Sequence, residues 1–340
     1  MRVLSIDVRN FGRSQETVAN CSFFVRADLI PSIAIVVIGA FAVLLHQRAD
    51  FGGGDVFYAD AAQSLLHGGF YGVGGHPETT QPPGLAGILA ALFSIFGYSH
   101  AVCVSAMAVF ETFAFLVAYE ILRRRAPRLV AATICTLLLS SPLYFSWATR
   151  LVYPCFPYFF TTMVALLSAE EYENAATTSR RIIWGTVLTA AVAASLLIAT
   201  GTIALLGAIA AVVASTWLVD QRLARTRLLR FLPVLLLGIL VQGLWMHRKP
   251  APMEWPLPGY PGAYLEQVKL KSGNHPELGI AKWSDIPARV NTNLLVETEI
   301  LAHLVLRTGS IEERSQLSSF PSYLSQSDWL IPSGNHEAWN

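Results

Sequence analysis

The sequence predicts an all-α fold, a polytopic bundle of transmembrane helices, on three observations. Charged residues make up only 14% of the 340-residue chain, whereas soluble domains carry about 25%. Apolar residues make up 53% of it, and the mean hydropathy is +0.47. The apolar residues also lie in long blocks, several of which reach the roughly 17–25 residues that a helix needs to cross the hydrocarbon core. The net charge of +1 gives no basis for nucleic-acid binding.

The apolar blocks predict about seven membrane spans. Their expected limits are 29–45, 101–120, 129–147, 154–169, 182–199, 202–219 and 231–247. A further run at 84–97 has only about 14 residues. That length favours a juxtamembrane or re-entrant helix in the first external loop over a full span.

The distribution of arginine predicts the orientation of the bundle, because cytoplasmic loops are enriched in Lys and Arg. If the run at 84–97 does not cross the membrane, the N-terminal arginines and three later basic clusters fall on the same side of it. These clusters are Arg123–Arg125 with Arg128, Arg180–Arg181, and Arg222–Arg230. We therefore expect an integral protein of the plasma (inner) membrane. It would have a cytoplasmic tail at 1–28, a bundle at 29–247 with its external loop at 46–100, and an external segment at 248–340.

The C-terminal segment and the cysteines indicate no further domain chemistry. Residues 248–340 are rich in Pro, Gly and polar residues, and the run from Leu294 to Leu306 predicts an amphipathic surface helix. No CxxC or Cys/His spacing occurs among the four cysteines, Cys21, Cys103, Cys135 and Cys155. We interpret them as small buried apolar residues.

Asp55 is the first candidate for chemistry. It follows three glycines, Gly52–Gly54, about ten residues beyond the first predicted span. A carboxylate at the mouth of a membrane cavity can take a proton from an acceptor hydroxyl or hold a divalent metal. The alternative is a solvated loop aspartate after flexible glycines.

The residues after Asp55 carry a resemblance to a known superfamily. They read Asp-x-x-Tyr, then Ala-x-x-Leu-x-x-Gly-Gly, then Pro-Pro-Gly before a short apolar helix that ends in Phe-Gly at residue 97. This order resembles the first external loop of the polyprenyl-phosphate-sugar-dependent integral-membrane glycosyltransferases (GT-C type), which include the protein O-mannosyltransferases and the lipid A aminoarabinose transferases. Stretches at 243–248, 272–279 and 285–293 resemble later parts of the same proteins, so the resemblance covers roughly residues 29–306.

The resemblance implies a reaction and a catalytic residue. Such enzymes transfer a sugar from a polyprenyl-phosphate donor to a hydroxyl of a lipid, glycan or protein acceptor at the external face, with inversion. Asp55 matches their catalytic carboxylate. The departing phosphate needs a cation, and the candidates at the predicted external boundary are Arg150, Arg248 and Lys249. Alternatively, the two arginines anchor helix ends at the headgroups.

Three residues of the loop are weaker candidates. Tyr58 can stack on a sugar or hydrogen-bond to it, but aromatic residues also pin loops to the membrane interface. His76 can assist proton transfer or bind a metal, or be an ordinary surface group. Glu78, close to the Pro-Pro elbow, can supply a second carboxylate. No cofactor is implied with certainty, and the use of a divalent metal stays open.

Two departures from the family pattern keep other functions open. Relatives often carry an acidic residue before a Pro-Tyr pair, where this chain has Cys155, and no apolar run after residue 247 is long enough for another span. The first departure argues against a second carboxylate there and, with it, against metal binding. The second indicates a short or truncated member and so favours a weak or inactive enzyme. A further hypothesis is therefore a non-catalytic relative that binds a lipid-linked glycan or a partner protein. Glu111, in the middle of a span, leaves a transporter as a third hypothesis.

Overall fold

The computed structural model describes residues 26–45, 54–78, 81–141, 149, 151–246, 279–287 and 290–291. These residues form α-helices, one small β-hairpin and a few 3₁₀ or π turns, so the predicted all-α class is confirmed. The helices are α1 (Arg26–Leu44), α2 (Gly54–Gln63), α3 (Gly84–Phe96), α4 (His100–Leu122), α5 (Arg128–Leu139), α6 (Cys155–Asn174), α7 (Thr178–Ile198), α8 (Ile203–Val219) and α9 (Gln221–Met246). The strands are β1 (Gly72–Val73) and β2 (His76–Pro77).

A helix lies at each of the seven predicted spans, namely α1 and α4 to α9. Within the described residues, α4, α7 and α9 are long and apolar enough to cross a membrane by length and composition. Helices α1, α5 and α8 are shorter apolar helices. The third of these predicted spans, 129–147, continues past α5, and its part at 142–147 lies outside the described residues. The predicted surface helix Leu294–Leu306 also lies outside them.

The long helices pack side by side in a row. Helix α4 contacts α1, α5 and α6, α6 contacts α7, and α9 contacts both α7 and α8. Small residues allow close approach, as expected where helices associate in lipid. At Gly39 of α1, for example, a Cβ atom would collide with the side chain of Thr112 of α4.

The loop between α1 and α4 is folded on itself at one end of the bundle. Helix α2 runs on into a π-helical turn, Ser64–Gly68, which Gly69 ends with a left-handed backbone (φ 67°). The hairpin then turns through Gly74 and Gly75, both with positive φ, as a tight two-residue hairpin turn requires. Asp60 Oδ2 of α2 accepts the Gly74 N–H at 2.5 Å, which fastens the hairpin to the helix.

Helix α3 is the predicted juxtamembrane helix. With 13 residues it is about 20 Å long, too short for a hydrocarbon core of about 30 Å. Its first turn lies directly on the end of α7. A Cβ atom at Gly84 would lie 2.5 Å from the Leu197 carbonyl oxygen, so the glycine of the Pro-Pro-Gly elbow permits this contact.

Arginines of the basic clusters form ion pairs with glutamates at the opposite end of the bundle. Arg124 pairs with Glu171 (2.6 Å) and Glu120 (2.8 Å), and Arg125 pairs with Glu170 (2.8 Å). Arg227 of α9 pairs with Glu173 of α6 at 2.9 Å. This end is separated from the start of α4 by the length of that 23-residue helix, about 34 Å. That the basic end faces the cytoplasm stays a prediction.

Candidate active site

Asp55 lies in the first turn of α2, and its carboxylate is buried, with only 1% of the residue exposed. Oδ1 accepts the backbone N–H of Val152 at 3.1 Å. Oδ2 lies 3.4 Å from Nε2 of His100, the first residue of α4. A buried carboxylate is costly unless it is hydrogen-bonded. Three chain segments, α2, the start of α4 and the connection before α6, therefore meet on one charged group.

Two tyrosines cover this group. Tyr58 is 7% exposed and follows Asp55 by one helical turn, and its ring meets that of Tyr153 edge-on at 6.4 Å. Tyr153 is 47% exposed and forms the outer surface of the pair. Burial, with Tyr153 and Glu78 nearby, raises the pKa of Tyr58 far above its usual value. Burial, with Cys155 and Asp55 nearby, also raises the pKa of Tyr153, so both phenols are protonated donors at neutral pH.

Glu78 is a second buried carboxylate, and it shapes the elbow before α3. It is 2% exposed, and its Oε1 accepts the Gln81 N–H at 2.8 Å. The Tyr71 hydroxyl donates to the carbonyl oxygens of Gln81 (3.0 Å) and Pro82 (3.3 Å). The Tyr71 ring packs on Trp245 at 6.1 Å, so the last turn of α9 lies against the same loop.

The structure brings some of the predicted site residues together and leaves others undescribed. Asp55 and Tyr58 lie in one cluster. Arg150, Arg248 and Lys249 lie outside the described residues. For His76 the structure describes the backbone, which pairs with Val73 in the hairpin, but not the side chain.

The three cysteines within the described residues, Cys103, Cys135 and Cys155, are free thiols, and the first two are buried. This agrees with their interpretation as small apolar residues. Among the described residues, no three His, Cys, Asp or Glu side chains come together in a way that could hold a metal ion. The polar centre is thus a carboxylate with an imidazole beside it.

Three residues around Asp55 are not among the site residues predicted from the sequence, namely His100, Val152 and Tyr153. His100 had a usable signal, because it lies at the predicted external boundary of the span 101–120, on the same side as the loop of Asp55. Tyr153 could have been noticed as an aromatic residue at a span end. Val152 contributes only its backbone amide, which every residue except proline has, so no sequence pattern could have identified it.

An open apolar groove of about 670 Å³ begins beside this cluster. It runs between α3 and α4 and is apolar throughout except for Ser105. The lining residues are Ile88, Ala91, Leu92, Ile95 and Phe96 of α3 with Ala101, Val102, Ser105, Ala106, Val109 and Phe110 of α4. Ala101, which follows His100 directly, lines this groove, so the groove begins at the same level of α4 as the polar cluster, although on a neighbouring face of the helix.

Glu111 lies apart from the cluster. It is 1% exposed on α4, eleven residues after His100, which is about 16 Å along the helix axis. Its Oε1 has no hydrogen-bond partner among the described residues. The structure therefore places this carboxyl inside the bundle, at a depth distinct from that of Asp55.

The solved structures that match this chain include two of ArnT from Cupriavidus metallidurans. The structure bound to undecaprenyl phosphate matches with a TM-score of 0.50 at 16% identity, over 64% of this chain and 40% of ArnT. The apo structure matches with a TM-score of 0.51 at 16% identity, over 75% of this chain and 44% of ArnT. No protein-family model and no curated protein matches the sequence.

The two matches confirm the predicted resemblance at the level of the fold. The chain has an ArnT-like helical membrane fold, and it spans less than half the length of the ArnT structures that it matches. At this identity the likeness concerns the fold alone, and activity has to be argued from the site.

Proposed function

We propose that this chain is a membrane glycosyltransferase that moves a sugar from a polyprenyl-phosphate donor to a hydroxyl acceptor, with inversion. The observation that carries the proposal is the buried Asp55 carboxylate, which lies between the Val152 amide and His100 at the end of α4 where an apolar groove also begins. The ArnT-like fold supports the same reaction class. We place the site at the external face of the inner membrane, with the N-terminus in the cytoplasm, because the basic clusters lie at the opposite end.

Asp55 acts as the general base in this reaction. The acceptor oxygen forms a bond to the anomeric carbon while Asp55 takes the hydroxyl proton, and the bond from that carbon to the phosphate oxygen breaks with its electron pair on the phosphate. Attack opposite to the leaving phosphate inverts the anomeric centre. His100, 3.4 Å from Oδ2, positions the carboxylate, and the Val152 amide fixes its other oxygen.

The leaving phosphate needs positive charge, which we assign to Arg150, Arg248 and Lys249. Thr149 and Val152, on either side of Arg150 in the sequence, are both fully buried, and the Val152 amide contacts Asp55. Trp245, three residues before Arg248, packs on Tyr71 of the first loop. Arg150 and Arg248 are thus close in sequence to residues that contact the candidate site or its loop. A guanidinium group can bind phosphate oxygens with two N–H donors.

The groove between α3 and α4 is our candidate for the isoprenoid tail. It is apolar and begins at the same end of α4 as the cluster that contains Asp55, and a lipid tail attached to a reacting phosphate requires an apolar surface near the site. One ArnT structure was solved with undecaprenyl phosphate bound, which supports a polyprenyl-phosphate lipid as partner. The sugar would lie between the head of this groove and the aromatic pair Tyr58 and Tyr153, with His76 of the hairpin on the donor side.

Access to Asp55 requires a small movement, because the residue is only 1% exposed. Tyr153 is the exposed member of the tyrosine pair, and its side chain can rotate outward. In the open position its ring would stack on the sugar. Closing over the substrate would exclude water from the reacting carbon.

The test is a transfer assay with the full 340-residue chain, purified and reconstituted with polyprenyl-phosphate sugars of several types. Release of free polyprenyl phosphate together with a glycosylated acceptor is the expected result. Asp55→Asn should abolish transfer and keep donor binding. A native chain that turns over no donor of the panel, although it binds one, would contradict the proposal.

A second candidate function is a non-catalytic relative that binds a lipid-linked glycan or a partner protein. The observation that favours it is the thiol of Cys155, which stands where members of the family that the chain resembles often carry an acid. Donor binding without turnover in the native chain would support it. A transporter is the third, and uptake into sealed vesicles that depends on Glu111 but not on Asp55 would support that function.

A further inference from the structure

A second groove lies at the basic end of the bundle, far from the candidate active site. It has a volume of about 530 Å³, is open to the surface and runs between α7 and α9, with Tyr172 of α6 at its inner edge. Its lining residues are Tyr172, Thr178, Arg181, Ile182, Gly185, Thr186, Thr189, Ala190, Ala193, Arg230, Pro233, Val234 and Leu237. The floor is therefore mostly apolar, with small residues of α7 that include three threonines, and the charge is confined to two arginines.

The two arginines lie at the same mouth of the groove. The Tyr172 hydroxyl donates to the Arg230 carbonyl oxygen at 3.4 Å, and a Cβ atom on Gly185 would lie 3.0 Å from the Tyr172 ring. Tyr172 thus contacts both walls of the groove. Arg181 is one turn before Gly185 on α7, which places its guanidinium on the side of Arg230.

These two arginines also lack acidic partners. Arg124, Arg125 and Arg227 at this end pair with glutamates, but Arg181 and Arg230 form no ion pair among the described residues. Arg181 Nη2 donates to the Ala175 carbonyl oxygen at 3.2 Å. Its Nε is buried and has no hydrogen-bond partner in the described part of the chain. A buried guanidinium donor without a partner is costly, which points to an anion absent from the protein itself.

We propose that this groove binds an anionic glycerophospholipid from the membrane leaflet at the basic end. The phosphate lies between Arg181 and Arg230, and an acyl chain follows the floor of small residues. Guanidinium groups suit phosphate oxygens, and basic pockets between transmembrane helices bind anionic headgroups. The groove walls also carry the exposed side chain of Ile182 (64%), and Leu236 (56%) lies on the neighbouring face of α9, as on a surface that faces lipid.

The shape of the groove favours a lipid over a free phosphate or a soluble anion. From Arg181 to Ala193 the groove follows α7 for twelve residues, about 18 Å along the helix axis. A small anion would occupy only the mouth and leave this apolar floor uncovered. A second copy of the chain, or another helix, would cover the apolar floor. It would supply no negative charge to Arg181 and Arg230 unless it carried an acidic residue level with the mouth of the groove.

The experiment measures lipid binding by native mass spectrometry and lipid-dependent melting of the delipidated chain in detergent, with phosphatidylglycerol against phosphatidylcholine. We expect tighter binding and a higher melting temperature with phosphatidylglycerol. The double variant Arg181→Gln and Arg230→Gln should lose at least tenfold in affinity for it. The matched control, Arg180→Gln and Arg225→Gln, removes the same charge from two exposed arginines of α7 and α9 outside the groove and should keep the preference.

A second pair of variants tests the floor without changing any charge. Ala190→Phe fills the groove from an exposed position on α7, and it should lower binding of phosphatidylglycerol as well. Ile183→Phe adds bulk at an exposed position that does not line the groove and should have no effect. Equal binding of the two lipids by the native chain, or equal losses in the variants and their controls, would overturn the proposal. A native dimer that only Ala190→Phe dissociates would also overturn it, in favour of a second copy.

Discussion

Replacing Asp55 by Asn separates its proposed chemical role from its structural one. The amide has the same shape, and its oxygen can still accept the Val152 N–H that Oδ1 accepts at 3.1 Å. The substitution removes the negative charge and, with it, the ability to take a proton. It also places an NH₂ group where Oδ2 lies 3.4 Å from His100 Nε2.

The geometry sets the expected magnitudes. Loss of a general base costs about 10²–10⁴-fold in rate. Weakening one buried hydrogen bond costs about 1–3 kcal/mol of stability, so Asp55→Asn should fold. Asp55→Ala removes both contacts of a residue that is 1% exposed and should cost about 3–5 kcal/mol, the range for a broken buried pair. The asparagine variant therefore reports on chemistry, and the alanine variant reports on structure.

The assay compares transfer rates and melting temperatures of the native chain with those of Asp55→Asn and Asp60→Asn. Asp60 is the matched control, because it lies on the same helix and holds the Gly74 amide on the other side of the loop. We expect Asp60→Asn to transfer sugar within a fewfold of the native rate. If Asp55→Asn kept a comparable rate while folded, Asp55 would be a structural anchor, and the proposed base would have to be another group.

Three further variants test the loop, the tyrosine pair and the buried glutamate. Gly84→Ala should lower the free energy of unfolding by about 1–3 kcal/mol, because its Cβ would lie 2.5 Å from the Leu197 carbonyl oxygen. Gly87→Ala, with nothing within 4 Å of its Cβ, should be neutral or stabilising. Equal melting temperatures of the two variants would contradict the close contact of α3 with α7. The raised pKa of Tyr58 means that the unfolded chain ionises first, so its contribution to stability is complete below pH of about 10 and is lost at about 1.4 kcal/mol per pH unit above it. Tyr58→Phe should therefore flatten the alkaline fall of the melting temperature, and an unchanged slope would argue against burial of the phenol. Glu111→Gln should keep full transfer and an equal or higher melting temperature, because the carboxyl oxygen Oε1 has no partner among the described residues; a loss of transfer would connect Glu111 to the reaction.

The positions of the helices followed from the sequence because bilayer thickness sets the length of an apolar run. The ends of the helices were less well predicted. Helix α6 ends at Asn174 and the prediction ended at 169, since Glu171 and Glu173 extend the helix by pairing with arginines. Helix α9 begins at Gln221 and the prediction began at 231. Its first ten residues are too basic for hydrocarbon but are good helix formers, so an apolar pattern could not include them.

The candidate site was predicted only in part. Asp55 was identified because a resemblance selected it, and its position at a helix start agrees with the glycines before it. Its contacts could not be predicted, because His100 and Val152 are 45 and 97 residues away in the chain. They meet Asp55 only through the packing of α4 on α6 and of α2 on the start of α4. The burial of Glu78 against the Gln81 amide depends on the same folding of the loop.

Asp55 and Glu111 are equally buried, at 1% exposure each, so burial alone does not decide which carboxylate has a function. The two carboxylates differ in their surroundings and in their depth within the bundle, and these differences favour Asp55. Glu111 lies about 16 Å further along α4, where a phosphate or an acceptor hydroxyl would have to leave water entirely. Asp55 lies at the end of α4 with His100 and two tyrosines, and an apolar groove begins at this end of the helix. A lipid-linked sugar has its reacting bond at the boundary between water and hydrocarbon, and in the described part of the chain the cluster around Asp55 is the polar centre that lies beside such a groove.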